Sequence, residues 1–136
     1  MISISLLNNN KKCKENKNES NLQTLLENLI KKYSNIRIAS IVSIEGFPII
    51  SILPSNIKDV QVAATTATIL CMAERALVEL HAGELEQLYI QGTLFKLLLF
   101  KAGQDAVLLI ALSKEVNQKH IFPYCTEINN LISELI

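Results

Sequence analysis

The run LFKLLLFKAGQDAVLLIALS, residues 94–113, constrains the fold of this chain more than any other feature. Two strongly apolar stretches, 94–101 and 105–113, flank the short turn AGQD, a pattern that predicts a β-hairpin. A surface hairpin alternates apolar with polar residues because one of its faces meets water. Here both faces are apolar over much of their length, so both must be covered. Helices are therefore required in layers above and below a sheet.

The rest of the chain supplies that sheet and those layers. IRIASIVSI (36–44) sets Ile38, Val42 and Ile44 against Arg37, Ala39, Ile41 and Ser43, the period of a strand. EGFP (45–48) makes a turn, and IISIL (49–53) returns. LEQLYIQ (85–91) sets Leu88 and Ile90 against Gln87, Tyr89 and Gln91. Leu22, Leu25, Leu26, Leu29 and Tyr33 predict a helix over 21–34, with Ser20 and Gln23 spaced as a capping box. A long helix is expected over about 57–82, with Asn56 and Asp59 offering an N-cap and an acid in the first turn, and Gly83 as its stop. Tyr124, Ile128, Leu131, Ile132 and Leu135 stripe a last helix, with Pro123 in or just before its first turn. The expected fold class is α+β: a three-layer α/β/α sandwich on a five-stranded antiparallel sheet, in the order α-β-β-α-β-β-β-α. Residues 20–136 form one domain in this reading, and the Asn/Lys-rich residues 1–19 are a disordered leader. The lysines of the leader follow its apolar run, the wrong order for a signal peptide.

Several functions are disfavoured. Lys+Arg and Asp+Glu both number 13, so no basic field invites nucleic acid. No apolar segment has the length of a membrane span, which argues against membrane insertion. Three cysteines without CxxC spacing point to a reducing, cytoplasmic setting without a disulfide framework. The glycines fall in turns and a helix stop, not in a phosphate-cradling loop. His81 and His120 have no partner at ligand spacing, so no metal site is expected. Cys71, expected mid-helix in apolar surroundings, reads as inert, and Glu84 and Glu86 read as a solvated pair. Neither a catalytic set nor a cofactor is expected.

The strongest signal of function is VAATTATILCMAERALVEL (62–80). On a wheel of 100° per residue, Val62, Ile69, Leu70, Ala73, Ala76, Leu77 and Leu80 share one sector, read as the face on the sheet. A second sector holds Val60, Ala63, Ala64, Ala67, Cys71 and Val78, mostly small. Helix propensity accounts for the alanines without a partner; Cys71 and the nearby threonines are not propensity choices and favour a second helix packed there. The outer side of LEQLYIQ is polar but uncharged, an unguarded condition for an edge strand. Joined by a two-fold axis, helix would meet helix and strand would meet strand.

EGFPIIS, AATTATILCMAERALVEL, LEQLYIQG and KLLLFKAGQDAVLLIAL together resemble the roadblock family, the dynein roadblock light chains and MglB-like regulators of small GTPases. The likeness spans about 36–113. It implies a homodimer, or a heterodimer with another roadblock-like chain, joined through the central helix and the third strand. Its dimer residues would be Ala63, Ala67, Cys71, Glu74, Val78 and the strand 85–91 with Gln87, Tyr89 and Gln91. It further implies a non-enzymatic adaptor or scaffold for a Ras-like small GTPase, although no GTPase-binding residue carries over by motif. The alternative is a PAS- or GAF-like small-ligand sensor, which also wraps helices around five antiparallel strands. The arginines, Arg37 and Arg75, are expected in surface ion pairs.

Overall fold

The computed structural model describes residues 2–4 and 12–135. In chain order the elements are β1 (Ile2–Ile4), α1 (Lys12–Lys32), β2 (Ile36–Ser43), β3 (Pro48–Ile52), α2 (Asp59–Glu79), β4 (Gln87–Gln91), β5 (Phe95–Ala102), β6 (Ala106–Ser113) and α3 (Gln118–Leu135). The five expected strands form one antiparallel sheet in the order β3-β2-β6-β5-β4, and β1 adds a sixth strand outside β3. The three layers are as expected, with α1 and α3 on one face and α2 on the other.

Against α1 and α3 the sheet is closed. Leu22, Leu26 and Leu29 of α1 and Ile121, Cys125, Ile128 and Ile132 of α3 are buried with Ile41, Ile50, Leu98, Phe100, Leu108 and Ile110 of the strands. A register shift in β2 between Ile36 and Ile38 sends Ile36 to this face with Ala39 and Ile41, while Ile38 joins the α2 side. Aromatic pairs stitch the layer: Tyr33 with Tyr124, and Phe100 with Phe122, both edge-to-face. Lys96 is buried on β5, where its ammonium donates to the Val116 carbonyl (2.8 Å) and so meets the cost of desolvation.

The element ends depart from expectation in four places. Of the leader expected to be disordered, residues 12–19 belong to α1 and Ile2–Ile4 form β1, while residues 1 and 5–11 lie outside the described residues. Helix extension past an anchored segment costs little once the nucleus exists, which carries α1 beyond the Ser20 start. Gln23 donates to Glu27 one turn on (3.0 Å), so the Ser20–Gln23 spacing marks no helix start. Helix α2 begins at Asp59 without a side-chain cap on Lys58 and ends before Gly83. Its terminus is a Schellman motif: Ala82 N–H donates to Leu77, His81 N–H donates to Val78, and His81 takes the left-handed conformation (φ 53°). Helix α3 starts five residues before Pro123, because the Asn117 side chain accepts from Lys119 N–H (3.0 Å) and caps it. Pro123 therefore stands inside the helix.

Candidate interaction interface

Helix α2 rests on the sheet through three small residues and one leucine. Ala63, Thr66, Ala67 and Leu70 are its buried positions. The helix lies over β2 and β3, and the β2–β3 turn comes up to meet it. Gly46 (φ 96°) sits where an added Cβ would lie 3.7 Å from the Ala64 Cα and 3.9 Å from the Ala67 Cβ. A Cβ would fit at these distances, so it is the left-handed backbone that calls for glycine at this turn. The turn is held by Ser43, whose N–H donates to the Phe47 carbonyl (2.8 Å) and whose hydroxyl accepts from Phe47 N–H (3.1 Å). On the sheet, the Ser40 and Ser51 hydroxyls satisfy each other at 2.7 Å with both residues fully buried.

The two sectors read from the helical wheel do not divide as expected. Ala63 and Ala67 of the small sector lie on the sheet, where small side chains let a helix approach closely, together with Leu70 of the large sector, whereas Val60, Ala64, Cys71 and Val78 are exposed. Apart from Leu70, the large sector is left half-covered or exposed. Val62, Ile69, Ala73 and Leu77 are half-buried, and Ala76 and Leu80 are exposed, Leu80 to 76%. Beside Val62 and Ile69 runs an apolar groove of about 360 Å³ floored by Ile38, Leu97, Leu99 and Leu109. A second depression, about 770 Å³, lies further along α2, between its Ala73, Ala76, Leu77 and Leu80 and the segment from Leu85 to Leu88 that leads into β4. One helix of mostly small residues does not fill the face that β5 and β6 present to it.

The groove leads to the open edge of the sheet. Strand β4 pairs only with β5 and ends the strand order. Leu88 and Ile90 face the groove side, half-buried, while Gln87, Tyr89 and Gln91 are exposed. The Tyr89 hydroxyl donates to Gln91 (2.7 Å). No charge, proline or bulge blocks the outer backbone of Gln87–Gln91.

The residues expected at a dimer seam divide into three groups. Ala63 and Ala67 are buried in the chain's own fold (0% and 9% exposed) and have almost no surface to offer a partner. Cys71 and Val78 are exposed on the other flank of α2, and Glu74 is held there by Lys101 (3.7 Å). That flank faces the Ile44–Gly46 turn and the β5–β6 turn. Only Gln87, Tyr89 and Gln91 adjoin the apolar groove through their strand. The residues beside the groove that sequence reasoning missed are Val62, Ile69 and Leu97, which read as ordinary core; Leu88 and Ile90 belong to the strand 85–91 already expected at the seam. The available signal is the mismatch between two strands apolar on both faces and a covering helix too poor in large residues.

The remaining candidates for chemistry are scattered. Cys71 is exposed, contrary to the apolar surroundings expected for it, whereas Cys125 is buried and desolvation pushes its thiol up to about 12. Arg75 pairs with Glu79 one turn on (3.0 Å). Arg37 lies over the Phe95 ring (4.6 Å) rather than in the ion pair expected for it. Among the described residues no group of His, Cys, Asp or Glu is spaced to hold a metal ion, and no helix is long and apolar enough to cross a membrane.

Comparison with known proteins agrees with this architecture. The fold is similar to the gliding protein MglB of Thermus thermophilus (TM-score 0.79, 14% identity, covering 98% of this chain and 95% of that one). It is equally similar to MglB of Myxococcus xanthus (TM-score 0.79, 15% identity, 87% and 92% covered). An MglB structure described as having a tetrameric arrangement also matches (TM-score 0.77, 13% identity, 98% and 94% covered). No curated protein matches the chain by sequence. The Roadblock/LC7 domain matches residues 22–112, from α1 through β6, and the chain belongs to that family.

Proposed function

We propose that the protein is a non-enzymatic dimeric adaptor that binds or scaffolds a Ras-like small GTPase in the cytoplasm. The observation that carries the dimer is the half-covered groove beside α2, running into an open, uncharged β4 edge. A two-fold axis at β4 joins two sheets edge to edge and lays the partner's α2 alongside, on the flank of Val62, Ile69 and Ala73. That flank replaces Ala63 and Ala67 as the helical part of the seam; Gln87, Tyr89 and Gln91 keep their place on the strand. Cys71, Glu74 and Val78 then belong to the outer flank, free for a partner other than the second copy. The match to an MglB in a tetrameric arrangement supports self-association. Membership of the Roadblock/LC7 family supports a small-GTPase partner and favours this reading over the small-ligand sensor alternative.

Sedimentation equilibrium tests the first half: a dimer is expected at micromolar concentration, and a monomer there would defeat it. Affinity capture with the purified dimer, read by mass spectrometry, tests the second. A nucleotide-dependent small GTPase is the expected catch, and capture indifferent to added GTP or GDP counts against the reading.

A further inference from the structure

The far edge of the sheet carries a different device. Strand β3 would be that edge but for β1, which pairs with it in the register Ile2↔Ile52, Ser3↔Ser51 and Ile4↔Ile50. The tripeptide Ile-Ser-Ile thus pairs antiparallel with another Ile-Ser-Ile. That sequence reads the same in both directions, so a strand bearing it is self-complementary about a two-fold axis. The register β1 adopts on β3 is the register a second copy of β3 would adopt: Ile50 opposite Ile52, and Ser51 opposite Ser51. Among the described residues little else blunts this edge: Pro48–Ile52 holds no charge, and its proline and the bulge at Ile49 stand at one end, outside the tripeptide. The other side of Ser51 is already committed, in register with Ser40 of β2.

We propose that β1 is an intramolecular guard on a self-complementary edge, and that releasing it lets β3 pair with β3 of a second copy. A three-residue strand is a weak guard, so its release is a small change with a large outcome. Where two copies are already joined through β4, a point that rests on the function proposed above, the guarded edges lie at the two ends of the joint sheet. Unguarded, they add dimer to dimer, because a contact repeated at both ends of a particle does not close.

The test compares the full chain with a variant lacking residues 2–7, by sedimentation equilibrium across the micromolar range and circular dichroism. The truncated chain is expected to double in mass, and to give further multiples as concentration rises, while the full chain keeps one mass. A truncated chain with an unchanged spectrum and the mass of the full chain overturns the proposal. So does a fall in mass, which would mean that β1 links copies by exchange. If truncation prevents folding, Ser3→Pro in the full chain decides: a folded variant of increased mass supports the guard, and one of unchanged mass overturns it. The two readings fail separately, because the mass of the full chain tests the β4 dimer and the change on truncation tests the guard.

Discussion

The two faces of the sheet are built from the same kinds of residue and finish differently. Among the described residues, the core on the α1/α3 face joins eighteen buried residues, while the cluster under α2 joins four and is fringed by Ile38, Val62, Ile69, Leu88, Ile90 and Leu97, all only partly buried. The strands under both faces are rich in Leu, Ile and Val. Two helices with large apolar stripes close the first face; one helix that touches down through Ala63, Thr66, Ala67 and a single leucine, Leu70, leaves the second unfinished. An apolar strand face therefore reports that something covers it, without reporting that the cover is part of the same chain.

The sharpest way to break this comparison is to weaken each face in turn. Ile110→Ala removes a fully buried side chain from the closed face. It is expected to cost about 2–5 kcal/mol of stability in urea unfolding, through lost transfer energy and a residual cavity. The assembly state of the remaining folded protein should not change, and a change would show that the closed face also takes part in assembly. Ile69→Glu places a carboxylate in the groove instead. Dimer dissociation is expected to become at least about 100-fold easier, about 2.7 kcal/mol, with the circular dichroism spectrum retained. A variant that still sediments as a dimer would remove this flank of α2 from the seam.

The closed face also predicts a response to alkali. Cys125 is buried there, and desolvation raises its thiol from 9.0 to about 12. The folded protein favours the neutral thiol, so this contribution is complete below pH 9 and is lost as pH rises from 9 towards 12. The loss approaches about 1.4 kcal/mol per pH unit within that window. Cys125→Ala should show a shallower alkaline decline in stability than the parent chain, and equal slopes would count against burial as the cause.

Most of this fold is legible in sequence because each strand and helix carries its own period. The alternation in 36–44 and 85–91, the return 49–53 and the doubly apolar 94–113 place five strands, and the last of these requires three layers. The features that sequence misreads are those that depend on tertiary contact. Ala63 and Ala67 look the same on a wheel whether they touch the chain's own sheet or another molecule; their burial within the fold decides between them. Val62 and Ile69 look like core because they are large, and only the width of the sheet beside one helix leaves them half-covered. Strand β1 escapes detection because three residues carry too little period to see, although its Ile-Ser-Ile matches that of β3. Gln87, Tyr89 and Gln91 lie on an exposed strand as expected, since a polar, uncharged row needs no tertiary information to read.

The smallest expected effect concerns the end of α2, the helix of the unfinished face. Gly83 is the obvious residue for its stop, yet the left-handed position that closes the helix is taken by His81. For an L-residue that conformation costs about 1–2 kcal/mol, whereas glycine adopts it freely and gives back about 0.5–1 kcal/mol through the entropy of the unfolded chain. The two terms leave His81→Gly more stable by about 0.5–1 kcal/mol, a rise of a few degrees in Tm for a domain of this size. His81→Ala retains the strained backbone and is expected to stay close to the parent chain. If alanine stabilised as much as glycine, the gain would come from removing the imidazole and not from the backbone. The left-handed closure would then carry no strain, and the helix would end where it does because of its last-turn hydrogen bonds alone.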